Sequence, residues 1–309
     1  MGKATREAYG NALARIGKEN TNIIVLDADL SKSTKTDTFK AVCPERFFNV
    51  GIAEQNLISV GAGLAAAGKI PFVSSFSMFA TGRAFEQIRN AVCYPKLNVK
   101  VCATHAGITV GEDGATHQSL EDISCMRTLP NMTVVVPADE RETEAVIEWA
   151  ASYNGPVYVR LGRAGVDDVT TEGYSFVPGK STILVDGSDA TIIACGALVG
   201  PAVEASKTLS ESNIPARVIN MASIKPIDAE AIIKAAAETG AIVTAEEHNI
   251  IGGLGSAVSE VVASNKPVPM EFVGVQDTFG ESGTPKELMA KYGLTANDIV
   301  AAVKRVIAR

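Results

Sequence analysis

Short, continuous apolar runs alternate with longer stretches of helical period along this chain. NIIVLDAD, PFVSSF, NVKVCAT, MTVVVPA and PVYVRL fall in the first half, and ATIIACG, ARVINM, AIVTAEE and MEFVGV in the second. An unbroken apolar run bounded by turn residues is the pattern of a parallel strand buried on both faces. The helical stretches between the runs then cover those faces. The chain therefore reads as α/β, with two domains, each a mainly parallel sheet flanked by helices. Between the two sets lies GRAGVDDVTTEGYSFVPGKST, rich in Gly, Thr, Ser and Asp and without a sustained apolar period. We place the first domain at 1–165, a linker at 166–188 and the second domain at 189–309. One helix is marked at both ends, Asp228–Thr239, with Pro226 and Asp228 to start it and Gly240 to stop it.

Composition narrows the function classes. With 309 residues, 46% of them hydrophobic and 20% charged, the chain can build two cores of its own. A net charge of −7 leaves no basic face for nucleic acid, whose phosphates demand clustered Lys and Arg. No apolar run reaches the length of a membrane span, and the N-terminal MGKATREAYG enters a helical pattern directly, so a cytoplasmic location is expected. The cysteines, Cys43, Cys93, Cys102, Cys125 and Cys195, have neither metal-ligand nor redox spacing and read as small core residues.

In open parallel sheets, ligands gather at the carboxyl ends of strands. The polar residues of the first half concentrate there, in DADLSKST, SFSMFATGR and THAGITVGEDGATHQ. NVGIAEQNLISVGAGLAAAGK puts Glu54 at the start of a helix of small residues, where a carboxylate either favours the helix dipole or serves as a buried acid. Phe76 and Phe79 are core residues or an aromatic wall. Asp29 is a turn or cap residue or a ligand contact. His105 and His117 share one loop, but their spacing suits zinc poorly. Glu246, Glu247 and His248 cluster after a strand and read as polar residues at a strand end or domain contact.

GIAEQN, the glycine-rich helix after it, SFSMFATGRAFEQIR and the ATH…GEDGATHQ loop together resemble the pyrimidine-binding domain of the transketolase family. The second half resembles the family's C-terminal domain, so the likeness spans nearly the whole chain. The resemblance implies a pyrimidine-binding fold for thiamine diphosphate, followed by the C-terminal-domain fold. It implies that Glu54 bonds a ring nitrogen of the cofactor's aminopyrimidine and promotes self-deprotonation at the thiazolium carbon. Phe79, with Phe76, would form the wall for that ring, and Asp29 would lie near it. His105 and His117 would contact sugar hydroxyls and move protons, and Asp113 would bond a sugar hydroxyl. Arg6, Ser33 and Arg163 match positions that hold the terminal phosphate of sugar substrates, a task that suits guanidinium forks. One departure stands out: the Asp-Ser that commonly follows ATH is Ala106-Gly107 here.

Complete members of the family carry an upstream GDG motif followed by an asparagine pair, which with a metal holds the diphosphate. Neither is present in these 309 residues. The resemblance therefore implies the C-terminal subunit of a split transketolase, with no metal site of its own. Mg2+, or Ca2+ or Mn2+, would be held by an N-terminal, diphosphate-binding partner subunit, in an α2β2 heterotetramer. The reaction would move a two-carbon ketol unit from a ketose phosphate to an aldose. A sulfonate would suit the same anion-binding groups, so head group, sugar pair and pathway, whether pentose phosphate or a specialised catabolic route, stay open. Two alternatives stand beside this reading. One is a β-type subunit of another thiamine-diphosphate enzyme, such as a 2-oxo acid dehydrogenase or a deoxyxylulose-phosphate-synthase-like enzyme. The other is a non-catalytic assembly partner with this fold.

Overall fold

The computed structural model describes residues 2–309. The first sheet contains β1 (Ile23–Asp27), β2 (Phe47–Asn49), β3 (Ile70–Ser74), β4 (Lys100–Ala103), β5 (Thr133–Val135) and β6 (Val157–Arg160). The second contains β7 (Thr182–Val185), β8 (Ala190–Ala194) and β9 (Ala216–Asn220). The chain then forms β10 (Ser223–Lys225), β11 (Ile242–Asn249) and β12 (Met270–Val275). The spatial orders are β10-β5-β6-β4-β3-β1-β2 and β12-β11-β8-β9-β7. All neighbours run parallel except β10 on β5 and β7 on β9.

Each of the nine apolar runs is a strand, and β1, β4, β6 and β8, all interior, are buried along their whole length. The three strands without such a run all lie at sheet edges. β2 buries Phe47 and exposes Phe48 and Asn49. β7 is at most half-buried and falls inside the stretch expected to be a linker. β10 comes from the second half of the chain yet pairs with β5, joining the first sheet. The helix expected at Asp228–Thr239 spans Ala229–Thr239, with the Asp228 carboxylate accepting from Ala231 N and Gly240 left-handed at its end.

The two cores expected from length resolve into three apolar clusters. One packs the helix Thr5–Glu19 and the helix Glu140–Ser152 on one face of the first sheet. Another fills one face of the second sheet under the helices Val199–Glu211 and Ala296–Ile307. The third runs between the sheets, from Leu26, Leu57 and Val101 to Ile193, Ile219 and Leu254, so the two domains share a core. The cysteines are all free and four of the five are buried. Among the described residues, no helix is long and apolar enough to cross a membrane.

β4 carries a buried lysine. Lys100 on β4 is fully buried, with Nζ donating to Tyr153 O at 2.7 Å and Gly155 O at 2.8 Å. Burial pushes its ammonium down to about 7. An unfolded lysine titrates near 10.5, so between those values the unfolded chain binds more protons and folding stability rises with pH. Denaturant unfolding of the wild type should therefore gain stability from about pH 7 to pH 9.5, and Lys100→Met should lose that slope. An equal slope in both proteins would contradict the assignment.

Candidate active site

Strands β6, β4, β3 and β1 lie side by side, with β2 beyond β1. Because they are parallel, the segments leaving their carboxyl ends converge on one edge of the sheet. Asp29 follows β1, Glu54 follows β2, Phe76 and Phe79 follow β3, His105 follows β4 and Arg163 follows β6. The chain also reverses direction across the sheet at β1, whose neighbours are β2 and β3, and such a switch opens a crevice. Arg6 joins from the first turn of the helix Thr5–Glu19.

Glu54 opens the helix Glu54–Ala66 and is 1% exposed. The N-terminal amides of that helix favour its negative charge. Its Oε2 accepts from Arg83 Nη1 at 2.8 Å; among the described residues nothing donates to Oε1. The Arg83 guanidinium also lies over the Phe79 ring, 4.8 Å from its centroid. Phe79 is half-buried, with His117 at its edge, whereas Phe76 is buried and stacks on His105 at 3.8 Å. The two phenylalanine rings are 6.0 Å apart and nearly parallel.

His105 is held from both nitrogens. Arg6 Nη1 lies 3.4 Å from Nε2, and because a guanidinium can only donate, Nε2 accepts. Nδ1 therefore carries the proton and donates to Thr104 Oγ1 at 2.9 Å. His105 adopts a left-handed φ of 56° and Asp29 one of 65°, conformations that cost a non-glycine residue energy and recur at functional sites. Burial first, then the charges of Arg6 and Arg163 and the neighbouring His117, push the His105 imidazole down to about 3.

Arg6 Nη1 also donates to Ser33 O at 2.9 Å, but its Nε is buried without a partner. Burial, opposed by Glu7 and aided by Arg163, lowers its guanidinium. Arg163 donates to Val110 O and to Glu112 Oε2, the latter at 3.1 Å. The Ser33 segment is set by Asp27, whose buried carboxylate accepts from Leu30 N and the hydroxyls of Thr34 and Thr36. Asp29 exchanges two bonds with Asn49, whose Oδ1 also takes Gly51 N on the way to Glu54.

Arg6, Ser33, Phe76, Phe79, His105 and His117 thus form one contact network, with Arg163 beside it. Glu54 connects to it through Arg83, and Asp29 reaches the approach to Glu54 through Asn49. Asp113 lies exposed on the Ile108–Asp113 turn, apart from these bonds. Arg83 was not singled out in the sequence, and Glu247, read there only as a strand-end or domain contact, has an Oε1 that accepts from Thr109 N at 2.6 Å. The signal for the second was Ala106-Gly107, which stands where Asp-Ser is usual, and within it Gly107. Its φ is 86°, and a Cβ there would overlap the Glu247 carboxylate. The second domain therefore props the histidine loop from below. Glu246 instead caps the helix Leu254–Asn265 through the amides of Leu254 and Gly255, and His248 bonds Asn249 O. These three are the polar residues of a strand end and domain contact that the sequence suggested.

Comparison with known proteins agrees with this architecture. The pattern of the transketolase pyrimidine binding domain matches residues 1–167, and that of the transketolase C-terminal domain matches residues 179–299. The chain belongs to the transketolase family. Within it, the chain is the section that holds those two domains in that order, as its relatives illustrate. It is 53% identical over 304 residues to a Methanocaldococcus jannaschii protein assigned as a transketolase C-terminal section, covering 97% of this chain and 95% of that one. It is 43% identical to a 6-deoxy-6-sulfo-D-fructose transketolase subunit of Clostridium sp. strain MSTE9, covering 98% and 94%. Among solved structures, a split-gene transketolase in the form of an inactive β4 tetramer superimposes with a TM-score of 0.94 at 58% identity, covering 99% of both chains. Leishmania mexicana transketolase superimposes with a TM-score of 0.84 at 27% identity, where 99% of this chain spans 46% of that one.

The His105 environment is open to direct measurement. An ordinary histidine is mostly protonated at about pH 5. His105 should still show the neutral imidazole there, with the proton on Nδ1, in nitrogen NMR spectra of the chain. Because unfolded histidine binds its proton near pH 6.5, this site withdraws stability as pH falls from that value toward 3. A His105 titration midpoint near 6.5 would contradict the geometry.

Proposed function

We propose that this chain is the C-terminal subunit of a split, thiamine-diphosphate-dependent transketolase. It would transfer a two-carbon ketol unit from a ketose phosphate to an aldose once a diphosphate-binding subunit completes the site. The observation that carries the reading is the pairing of a buried carboxylate, Glu54, with a half-buried aromatic face, Phe79, at the carboxyl edge of a parallel sheet. Two features suit the missing groups. Glu54 Oε1 has no donor among the described residues, and Arg6 Nε is a buried donor without an acceptor. The first fits a ring nitrogen of the aminopyrimidine, the second a terminal phosphate or another tetrahedral anion.

Bound thiamine diphosphate supplies a carbon nucleophile that cleaves and re-forms the bond next to the sugar carbonyl. The chain's residues supply position and proton control. Glu54, desolvated and at a helix N-terminus, would share a proton with the pyrimidine, while Phe79, Phe76 and Asp29 would define the slot around that ring. Neutral His105, with its proton on Nδ1, presents Nε2 as an acceptor for a sugar hydroxyl, and the Phe76 ring fixes its plane. His117 stands edge-on to Phe79, 5.3 Å between ring centroids, and Asp113, on its exposed turn, would bond a sugar hydroxyl. Arg6, Arg163 and Ser33 would fix the far end of the substrate, so that binding energy remote from the reacting carbons orients them.

Metal would be held by the partner subunit, where Mg2+ would offset the charge of the diphosphate. A site shared between chains would suit an α2β2 assembly, and the expected location is the cytoplasm. Support for a partner comes from the Leishmania mexicana transketolase, of which this chain spans 46%. The Clostridium relative is named for a sulfonated sugar, which agrees with an anion site that reads charge and shape rather than phosphorus.

Mixing the chain with its diphosphate-binding counterpart, thiamine diphosphate and magnesium should give two-carbon transfer from a ketose phosphate to an aldose. Glu54→Gln should cut turnover at least about 100-fold while leaving assembly unchanged. Absence of transfer across a panel of ketoses and aldoses, with both proteins folded and associated, would overturn the proposal.

A further inference from the structure

Arg83 sits on both surfaces that the reading above gives to the cofactor's pyrimidine. Its Nη1 is 2.8 Å from Glu54 Oε2, and its guanidinium carbon is 4.8 Å from the centre of the Phe79 ring. A guanidinium is planar, donates to a carboxylate and lies flat on an aromatic ring. Those are the demands that a protonated pyrimidine would meet at the same two residues. In its absence the Glu54 carboxylate, 1% exposed, would lack a cationic partner in a poorly hydrated position.

We propose that Arg83 is a placeholder. In the chain by itself it neutralises Glu54 and covers Phe79, and it must swing out before a pyrimidine ring can stack and bond there. The inference rests on the pyrimidine reading of Glu54 and Phe79. The surroundings permit the movement, since the Arg83 side chain is 50% exposed and its outward path leads to solvent rather than core. The backbone is also irregular at this point. Arg83 ends a π-helical turn, Met78–Arg83, and Ala84 leaves helical geometry with φ −104° and ψ 18° before the helix resumes at Phe85. Wide turns of this kind mark functional positions in helices. The same contact explains why a buried acid can persist in a chain that lacks its cofactor.

A placeholder taxes affinity, because binding must first displace it. The measurement is a calorimetric titration of thiamine diphosphate, with magnesium present, into the complex of this chain with its diphosphate-binding counterpart. Arg83→Met should bind roughly 5- to 30-fold more tightly than the wild type, the value of one half-exposed ion pair and one cation–π contact. The same variant of the chain alone should melt at a lower temperature than the wild type, and the deficit should vanish in the loaded complex. Equal or weaker binding by Arg83→Met would overturn the placeholder role, since Arg83 would then be either neutral toward the cofactor or part of its site. In the Arg83→Met background, adding Glu54→Gln tests the underlying reading without interference from the displaced ion pair. Weaker binding there supports the pyrimidine reading, and unchanged binding overturns that reading and the inference with it.

Discussion

The geometry of this protein depends on one buried ion pair, Asp122 with Arg160. Arg160 Nε donates to Asp122 Oδ2 at 2.7 Å and Nη2 to Oδ1 at 3.1 Å, a two-pronged contact between side chains at most 5% exposed. Tyr158 donates to the same carboxylate at 2.5 Å and shares a hydrogen bond with Ser77, beside the phenylalanine segment. Burial alone would raise the Asp122 carboxyl; Arg160 and its other partners hold it below the usual range. Nη2 also donates to Ser119 O at 3.4 Å and, crossing to the second domain, to Glu247 O at 2.9 Å. The Glu247 side chain then returns to Thr109 N in the histidine loop. A charge pair this deep adds little net stability over apolar packing, but removing one partner leaves the other stranded at a cost of about 3–5 kcal/mol. Its contribution is to fix one arrangement of two sheets and the loop between them.

Much of this was legible from the sequence. Nine apolar runs gave nine strands because a strand covered on both faces keeps a mostly apolar run, interrupted only by residues such as Lys100 whose polar groups find partners. β2, β7 and β10 escaped because they are short and lie at edges, and β10 also pairs across the domain division. A period-based reading sees segments, not their partners. The linker at 166–188 illustrates the same limit: Thr182–Val185 carries polar neighbours and half-exposed positions, yet it closes the edge of the second sheet.

The site was legible where chemistry needs a rare residue at a loop that follows a strand. Glu54, Phe79 and His105 stood out in that way. Arg83 did not, because it pairs with Glu54 across 29 residues and no local spacing announces such a contact. Glu247 was named with its neighbours as a domain contact, but its reach to Thr109 spans 138 residues. The substitution of Gly107 for a larger residue was the visible half of that contact. Asp27 stood with the polar residues at the end of the first strand, and its role in setting the Ser33 loop appears only once the turn is folded.

The central claim is that Glu54 activates thiamine diphosphate as half of a site, the other half lying on a second polypeptide. Deuterium exchange at the thiazolium carbon, followed by proton NMR, reads that activation without any sugar present. The account predicts exchange at the rate of the free cofactor with this chain alone, strong acceleration when the diphosphate-binding counterpart and magnesium are added, and loss of that acceleration in Glu54→Gln. Acceleration by this chain alone, or acceleration undiminished in the Glu54→Gln complex, would contradict it.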